Sequence, residues 1–190
     1  MDDTEAVYLA GKLLIAMPGT TDPQFKRSLV YICAHSSEGA MGLVINRRLP
    51  DLSLAAMLTR IGIENHRMLH QKPVHNGGPV ERERGFVLHS TEYAAGSATL
   101  KVNKGFSLTA TMDILEDIAQ GIGPVRRLVA LGYCGWGPGQ LDQEMLDNGW
   151  LTLTPGPGLV FSTDDETKWT SALNMLGVQP KLLSATAGHA

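Results

Sequence analysis

Short apolar runs joined by tight turns constrain the fold of this chain more than any other feature. The segments "SLVYICAH" (28–35) and "AMGLVIN" (40–46) are rich in β-branched and apolar residues, and only "SSEG" separates them, which predicts a β-hairpin. Further strand-length runs follow without a regular alternation of strand and helix: "RGFVLHS", "SATLKV", "GFSLTA", "RRLVALGYC", "WLTLT" and "GLVFS". Because a doubly wound fold requires that alternation, the pattern predicts an α+β fold with a mixed sheet.

Helices are predicted where apolar residues recur at helical spacing between recognisable ends. Ser53 is the expected N-cap of "LAAMLTRIG", and "TMDILEDIAQG" stops at a glycine. A capping box formed by Thr163 and Glu166 is expected to open the helix "DDETKWTSALNML". No repeat, low-complexity segment or linker interrupts the chain, so a single domain over residues 1–190 is expected.

Composition narrows the classes of protein to which the chain can belong. Its 190 residues are 43% apolar, enough for a core without disulfides or metals, and the net charge of −3 gives no global attraction to nucleic acid or anionic membranes. The acidic N-terminus lacks the features of a signal peptide, and no apolar run reaches bilayer-spanning length. Two widely separated cysteines, Cys33 and Cys134, fit a reducing compartment better than a disulfide scaffold. We therefore expect a cytoplasmic protein without a membrane partner, with a bridge between the cysteines left open.

The glycine-rich stretch "GYCGWGPGQLDQEM" (132–145) is the most distinctive motif. It fails the dinucleotide pattern because Gln140 stands at the last glycine position, and it has no lysine for an NTPase phosphate loop. Asp142 and Glu144 would repel an anion at the following helix N-terminus. The favoured interpretation is a tight strand-to-helix corner with Trp136 packed as a lid, and the alternative is an anion or small-ligand site.

Cys134 in this stretch is a nucleophile candidate only if a base approaches it in space. His35, His75 and His89 are the histidines that could do so. Without a sequence-local base, a small buried residue at a strand end is the favoured interpretation.

A second turn, "HNGGPVERERGF", combines residues that accept left-handed backbone with alternating charges. Arg82 and Arg84, together with the amides of Gly77 and Gly78, could form an anion pocket. The alternative is a solvated strand face, because charges of alternating sign usually point to water.

Other charged motifs carry less specific signals. His66 and His70 could share a helical face, but no carboxylate or cysteine completes a metal set. Three basic pairs could contact nucleic acid if they converged, namely Arg47-Arg48, Arg82/Arg84 and Arg126-Arg127. No nucleic-acid-binding motif accompanies them, so that function is not favoured. Capping explains the acidic run "TDDE", so no catalytic carboxylate pair is predicted.

Four segments resemble the YqgE/AlgH family of bacterial proteins and occur in the family's order across almost the whole chain. They are "LIAMPGTTDPQFKRSLVYICAHSSEGAMGLVINR", "NGGPVERERGFVLHS", "LGYCGWGPGQLDQEMLDNGWL" and "AGHA". The resemblance implies an α+β fold with a bifurcated, partly barrel-like sheet flanked by helices, in a cytosolic protein. It implies no reaction, although some members are described as transcriptional regulators. Cys134 stands where alanine is more usual in the family, Arg48 where proline is and Asp142 where glutamate is, which makes Cys134 a poor candidate for a shared catalytic residue.

The prediction is a non-enzymatic binding or regulatory protein with no cofactor and no metal. Its partner would be a protein or a small molecule. One alternative is a small-anion-binding protein or enzyme that uses the same two turns, and another is a nucleic-acid-binding protein. The candidate binding surface comprises Asn76, Gly77, Gly78, Arg82, Arg84, Gly135, Trp136, Gly137 and Gln140.

Overall fold

The strands and helices are taken from a computed structural model that describes residues 8–64 and 67–179, with only the backbone of Arg67. The strands are β1 Leu13–Ala16, β2 Leu29–Ser36, β3 Gly39–Val44, β4 Arg48–Ser53, β5 Pro73–Asn76, β6 Val80–His89, β7 Thr99–Lys101, β8 Ser107–Thr109, β9 Arg127–Trp136 and β10 Trp150–Leu153. The helices are α1 Leu54–Arg60, α2 Met112–Gln120, α3 Gln140–Leu146 and α4 Asp165–Met175. Two 3₁₀ turns, Arg67–Leu69 and Gly96–Ala98, and a π-helix, Gly158–Ser162, complete the regular structure.

A single path of antiparallel pairs runs through most of the sheet, in the order β10-β1-β2-β3-β9-β6-β8-β7. Strand β9 pairs with three strands. It is antiparallel to β3 at Cys134–Trp136 and to β6, and it is parallel to β5 at Ala130–Leu131. The sheet therefore divides at β9, and β4 and β5 form the branch. The sheet curls into a half-barrel with helices around it, so the α+β prediction is confirmed.

Successive side chains of each strand point to opposite faces of the sheet, and the core therefore forms separate clusters on the two faces. In β1, Leu13 and Ile15 join one cluster with Trp169 of α4, whereas Leu14 and Ala16 join another with Trp136. A third cluster packs α1 and α2 against the sheet. Because successive side chains of a strand point to opposite faces, an all-apolar strand such as β1 is buried on both faces. None of the helices in residues 8–64 and 67–179 is long and apolar enough to cross a membrane.

Several local predictions are confirmed. Strands β2 and β3 form the expected hairpin, with a bulge between Ile32 and Ala34. Ser53 caps α1, because its hydroxyl accepts a hydrogen bond from the amide of Ala56 at 3.1 Å. Helix α2 ends at Gly121, which adopts left-handed backbone.

Two local predictions near the start of α4 are wrong. The segment "GLVFS" is a π-helix and not a strand. The N-cap of α4 is Asp164, whose carboxylate accepts from the amide of Glu166 at 3.0 Å. Thr163 does not form the capping box because its hydroxyl donates to the carbonyl of Gly158, inside the π-helix.

Candidate functional site

The two glycine-rich turns meet in direct backbone contact. The amide of Gly77 donates to the carbonyl of Leu131 at 2.8 Å. A Cβ atom on Gly132 would overlap the carbonyl oxygen of Gly78, and one on Gly78 would overlap the carbonyl carbon of Tyr133. The glycines are therefore required by a close crossing of two chain segments.

The side chains that surround this crossing divide between two concavities. Arg84, Gly135 and Trp136 line an open groove of about 600 Å³. Asn76, Gly78 and Arg82 line a separate pocket of about 30 Å³ beside Cys134, which has room for little more than a water molecule. Gly77, Gly137 and Gln140 line neither concavity. The residues of the predicted surface are thus linked through the backbone, but their side chains line two separate openings.

The groove has an apolar floor and a charged rim. Phe86 and Tyr133 pack edge to face in its floor, with ring centroids 5.5 Å apart. The Arg84 guanidinium lies 5.3 Å from the centroid of Phe86 and pairs with Glu81 at 3.5 Å. Leu100 of the edge strand β7 adds a side chain that is 45% exposed. The groove therefore offers apolar contact area beside charged groups of both signs, Glu38, Glu81 and Arg84.

Trp136 is a buried wall of the groove. Only 7% of the residue is exposed, and its indole N–H donates to Glu144 Oε2 at 3.1 Å. Trp150 donates to the same oxygen at 2.9 Å. The Glu144 carboxylate thus fixes both rings, so Trp136 shapes the groove from beneath its surface.

The corner between β9 and α3 already uses donors that an anion could bind. The amide of Gly137 donates to Gln140 Oε1 at 3.0 Å, and Gln140 Nε2 donates to Glu144 Oε1 at 3.2 Å. Asp142 in the first turn lies 3.6 Å from His35. These contacts favour the tight-corner interpretation over a phosphate cradle at this turn.

Neither cysteine has the surroundings of a nucleophile. Burial raises the pKa of both Cys33 and Cys134 to about 12. Both thiols are free, and they belong to different core clusters. The thiol of Cys134 donates to the carbonyl of Gly77 at 3.5 Å, so its contact is a structural one within the core.

The three histidines considered as bases for Cys134 are engaged elsewhere. His35 Nδ1 accepts from the amide of Leu9 at 3.0 Å. His89 contacts Thr109 Oγ1 at 2.8 Å, and burial lowers its pKa. The third, His75, binds a carboxylate that the sequence did not suggest.

That carboxylate belongs to Asp165, the first residue of α4, and it is the centre of a buried ionic cluster. Asp165 is 8% exposed, and its Oδ2 lies 2.9 Å from His75 Nε2 and 2.5 Å from Arg48 Nε. Its Oδ1 accepts from Lys168 Nζ at 2.9 Å. Burial alone would raise the pKa of Asp165, but the hydrogen bonds from His75, Arg48 and Lys168 outweigh burial and hold that pKa well below its usual range.

Lys168 connects this cluster to the core. Its Nζ also donates to the carbonyls of Ile45 and Val160, each at 3.0 Å. Burial lowers the pKa of Lys168 and the bond to Asp165 opposes that effect. Because an ammonium group has three donors and three acceptors surround this one, the charged form fits the site and no lone pair is available for nucleophilic attack.

The cluster forms part of the wall of another opening, which we call the basic cavity, with a volume of about 490 Å³. It lies where β4, β5 and the start of β9 meet the π-helix and α4. Its charged lining residues are Arg48, Lys72, His75, Arg126, Arg127, Asp164, Asp165 and Lys168.

Sequence reasoning missed this cavity because it assigned Asp165 to helix capping. The signals available were Lys168, three positions after Asp165 on the same helix, and the pair Arg126-Arg127 at the start of β9. Nothing in the sequence linked them to His75.

The three predicted basic pairs and the predicted histidine pair do not assemble into the sites considered for them. Arg47 donates to the carbonyls of Pro23 and Lys26, whereas Arg48 lines the basic cavity. Arg126 and Arg127 line the same cavity as Arg48, whereas Arg47, Arg82 and Arg84 do not, so the three basic pairs converge only in part. His66 lies outside the described residues, and the residue His70 is exposed.

Comparison with known proteins gives full-length matches. The AlgH-like family model matches residues 13–181. A UPF0301 protein of Cereibacter sphaeroides is 56% identical over 182 residues, which cover 96% of this chain and 99% of that protein. A UPF0301 protein of Caulobacter vibrioides is 48% identical over 191 residues, covering 100% and 98%.

Two solved structures share the fold. The solution structure of the AlgH protein from Pseudomonas aeruginosa is 40% identical, with a TM-score of 0.79 and full coverage of both chains. The crystal structure of a Corynebacterium diphtheriae protein gives a TM-score of 0.74 at 19% identity, over 97% of this chain and 95% of that one. The second match is a likeness of fold alone.

Proposed function

This chain belongs to the AlgH-like family, and we propose that it is a non-enzymatic binding and regulatory protein of the bacterial cytosol. The observation that carries the proposal is the groove, where the two glycine-rich turns bring Arg84, Gly135 and Trp136 to one concavity. An apolar floor with a few charged groups at its rim is suited to recognition, because apolar area provides affinity and a few polar groups provide orientation.

The occupant that we propose is an apolar segment of a partner protein with a basic residue nearby. Leu100, Phe86 and Tyr133 offer apolar and aromatic surface of the kind enriched in protein interfaces. At the rim, Arg84 is paired with Glu81, which leaves the Glu38 carboxylate as the charge to be complemented.

The remaining residues of the predicted surface would act by shaping the groove. Arg84 would cover Phe86 and neutralise Glu81, and Trp136 would hold the wall through Glu144. The backbone crossing, the small pocket and the hydrogen bond at the β9–α3 corner would fix the turns; together they involve Asn76, Gly77, Gly78, Arg82, Gly137 and Gln140.

Support for a non-enzymatic role comes from the state of the reactive groups. The protons of Lys168 are directed at three acceptors, and both thiols are buried with a raised pKa. No hydroxyl or thiol in the described part of the chain hydrogen-bonds to the ring of His75, so the Asp165–His75 pair has no nucleophile to activate.

The test compares partners captured by the full chain and by folded groove variants. Glu38→Gln and Leu100→Glu should each deplete the same partner at least tenfold in quantitative mass spectrometry, because the first removes the charge that the partner complements and the second places a charge on the apolar surface. Purified partner should then show the same loss of affinity. Ile122→Glu is the matched control, because Ile122 is 64% exposed and outside the groove. Identical partner profiles from all three variants would refute the groove as the recognition surface.

A further inference from the structure

We propose that the basic cavity is a binding site for a small organic molecule that carries a phosphoryl group. The site is separate from the groove, since no residue lines both openings. Five cationic side chains and two carboxylates line the cavity, in addition to His75.

Both carboxylates of the lining are satisfied from within the protein. Asp164 caps α4 through the amide of Glu166, and Asp165 accepts from His75, Arg48 and Lys168. These two carboxylates are therefore poorly available to a positively charged ligand. The cationic side chains of the lining favour a negatively charged ligand.

Those cations keep donors available for an anion. Arg48 uses Nε on Asp165, which leaves its two terminal nitrogens, and its side chain is 52% exposed. The side-chain nitrogens of Lys72 and Arg126 have no hydrogen-bond or ion-pair partner among residues 8–64 and 67–179. Arg127 donates Nη1 to the carbonyl of Pro124 at 3.0 Å. Guanidinium groups match the geometry of phosphoryl oxygens, because two parallel N–H donors can bind two oxygens at once.

Two further features of the lining point to a ligand. The cavity is bordered by the end of the π-helix, and such helices occur frequently at functional sites. His75 is 5% exposed, and its Nδ1 has no hydrogen-bond partner among the residues that the structure describes. A buried polar atom left without a partner destabilises a protein by about 1–3 kcal/mol, so this wall is not optimised for stability alone.

The size and the apolar walls indicate an organic body in addition to the phosphoryl group. The volume of about 490 Å³ lies within the usual range for small-molecule sites. The apolar lining residues are Leu54, Val125, Leu128, Val129, Val160 and Phe161. Inorganic phosphate would contact the arginines and leave these walls uncovered, so a phosphorylated organic molecule should bind more tightly.

The test measures binding of inorganic phosphate, AMP and adenosine to the full chain at constant ionic strength, by thermal shift and by calorimetry. Phosphate and AMP should raise the Tm, and adenosine should not. The double variant Lys72→Gln/Arg126→Gln should weaken AMP binding at least tenfold. Arg82→Gln/Arg84→Gln removes the same charge outside the cavity and should change AMP binding less than twofold.

Location is checked separately by NMR. AMP should shift the resonances of the His75 ring and of Ser162, with smaller changes at Tyr133 in the groove. The proposal is overturned if neither phosphate nor AMP binds the wild type at millimolar concentration, if both double variants lose binding equally, or if the shifts cluster at Tyr133. A failure here leaves the groove experiment unaffected, because the groove variants do not touch this cavity.

Discussion

The ring of His75 and the carboxylate of Asp165, 90 positions apart in the sequence, lie with Nε2 2.9 Å from Oδ2 in the protein interior. This contact ties β5 to the first turn of α4, and Arg48 and Lys168 complete the charge balance around it. Charges removed from water are tolerated only when they are paired and hydrogen-bonded, so the cluster should respond strongly to the loss of one member.

Replacing Asp165 with asparagine should lower the free energy of unfolding by about 3–5 kcal/mol, because the buried Lys168 ammonium would lose its counter-charge. Urea unfolding followed by circular dichroism measures the loss. Asp51→Asn, at an exposed position, is the control and should change stability by less than about 0.5 kcal/mol. Equal stability of the two variants would contradict the role assigned to the cluster.

The same cluster predicts a pH dependence. The pKa of Asp165 is held below its ordinary value of 3.8 in the folded protein, so the unfolded state takes up this proton first as the pH falls. The stabilisation is therefore complete well above pH 4 and declines below it. Wild type should lose stability more steeply than Asp165→Asn between about pH 5 and 2. Parallel curves would argue against this assignment.

Gly132→Ala should destabilise the protein much more than Gly139→Ala. Both glycines have positive φ, 74° and 70°, so both variants carry the strain of left-handed backbone, about 1–2 kcal/mol. Only at Gly132 would the added Cβ also overlap backbone, that of Gly78, whereas nothing lies within 4 Å at Gly139. Thermal unfolding of the two variants measures the difference, and similar Tm values would show that the crossing relaxes easily.

Glu144→Ala should lower stability by about 2–3 kcal/mol and shift tryptophan fluorescence to longer wavelength, because two nearly buried indole N–H groups lose their acceptor. Glu144→Gln keeps an amide oxygen at this position and should retain most of the stability. Asp147→Ala, on the exposed side of the same turn, serves as the control. An unchanged emission spectrum in Glu144→Ala would mean that the carboxylate does not hold the rings.

Both thiols should resist modification in the folded protein. Since burial raises the pKa of Cys33 and Cys134 to about 12, a thiol reagent at pH 8 should react slowly with native protein and modify two thiols after unfolding in urea. Ser97→Cys adds an exposed thiol that should react at once. Rapid reaction of Cys134 in the native wild type would revive it as a nucleophile candidate.

Local sequence patterns predicted much of the architecture. The β2–β3 hairpin, the cap at Ser53 and the end of α2 at Gly121 depend on residues within a few positions of one another. Such signals are readable because turn and cap preferences are intrinsic to the backbone. The capping-box prediction was wrong because Thr163 bonds to the π-helix. The strand prediction for "GLVFS" was wrong because Pro157, just before it, has right-handed helical backbone and starts a helical segment.

For the candidate site, too, some features were predictable from the sequence and others were not. The sequence by itself determined the family signature, the α+β class and the two glycine-rich turns at the recognition surface. Tertiary structure alone decided that these turns cross at Gly78 and Gly132, that Trp136 is buried, and that Asp165 is an ionic centre rather than a cap. The physical reason is distance along the chain: Arg48 and Asp165 are 117 positions apart, and they meet only because the sheet branches at β9 and α4 packs across it.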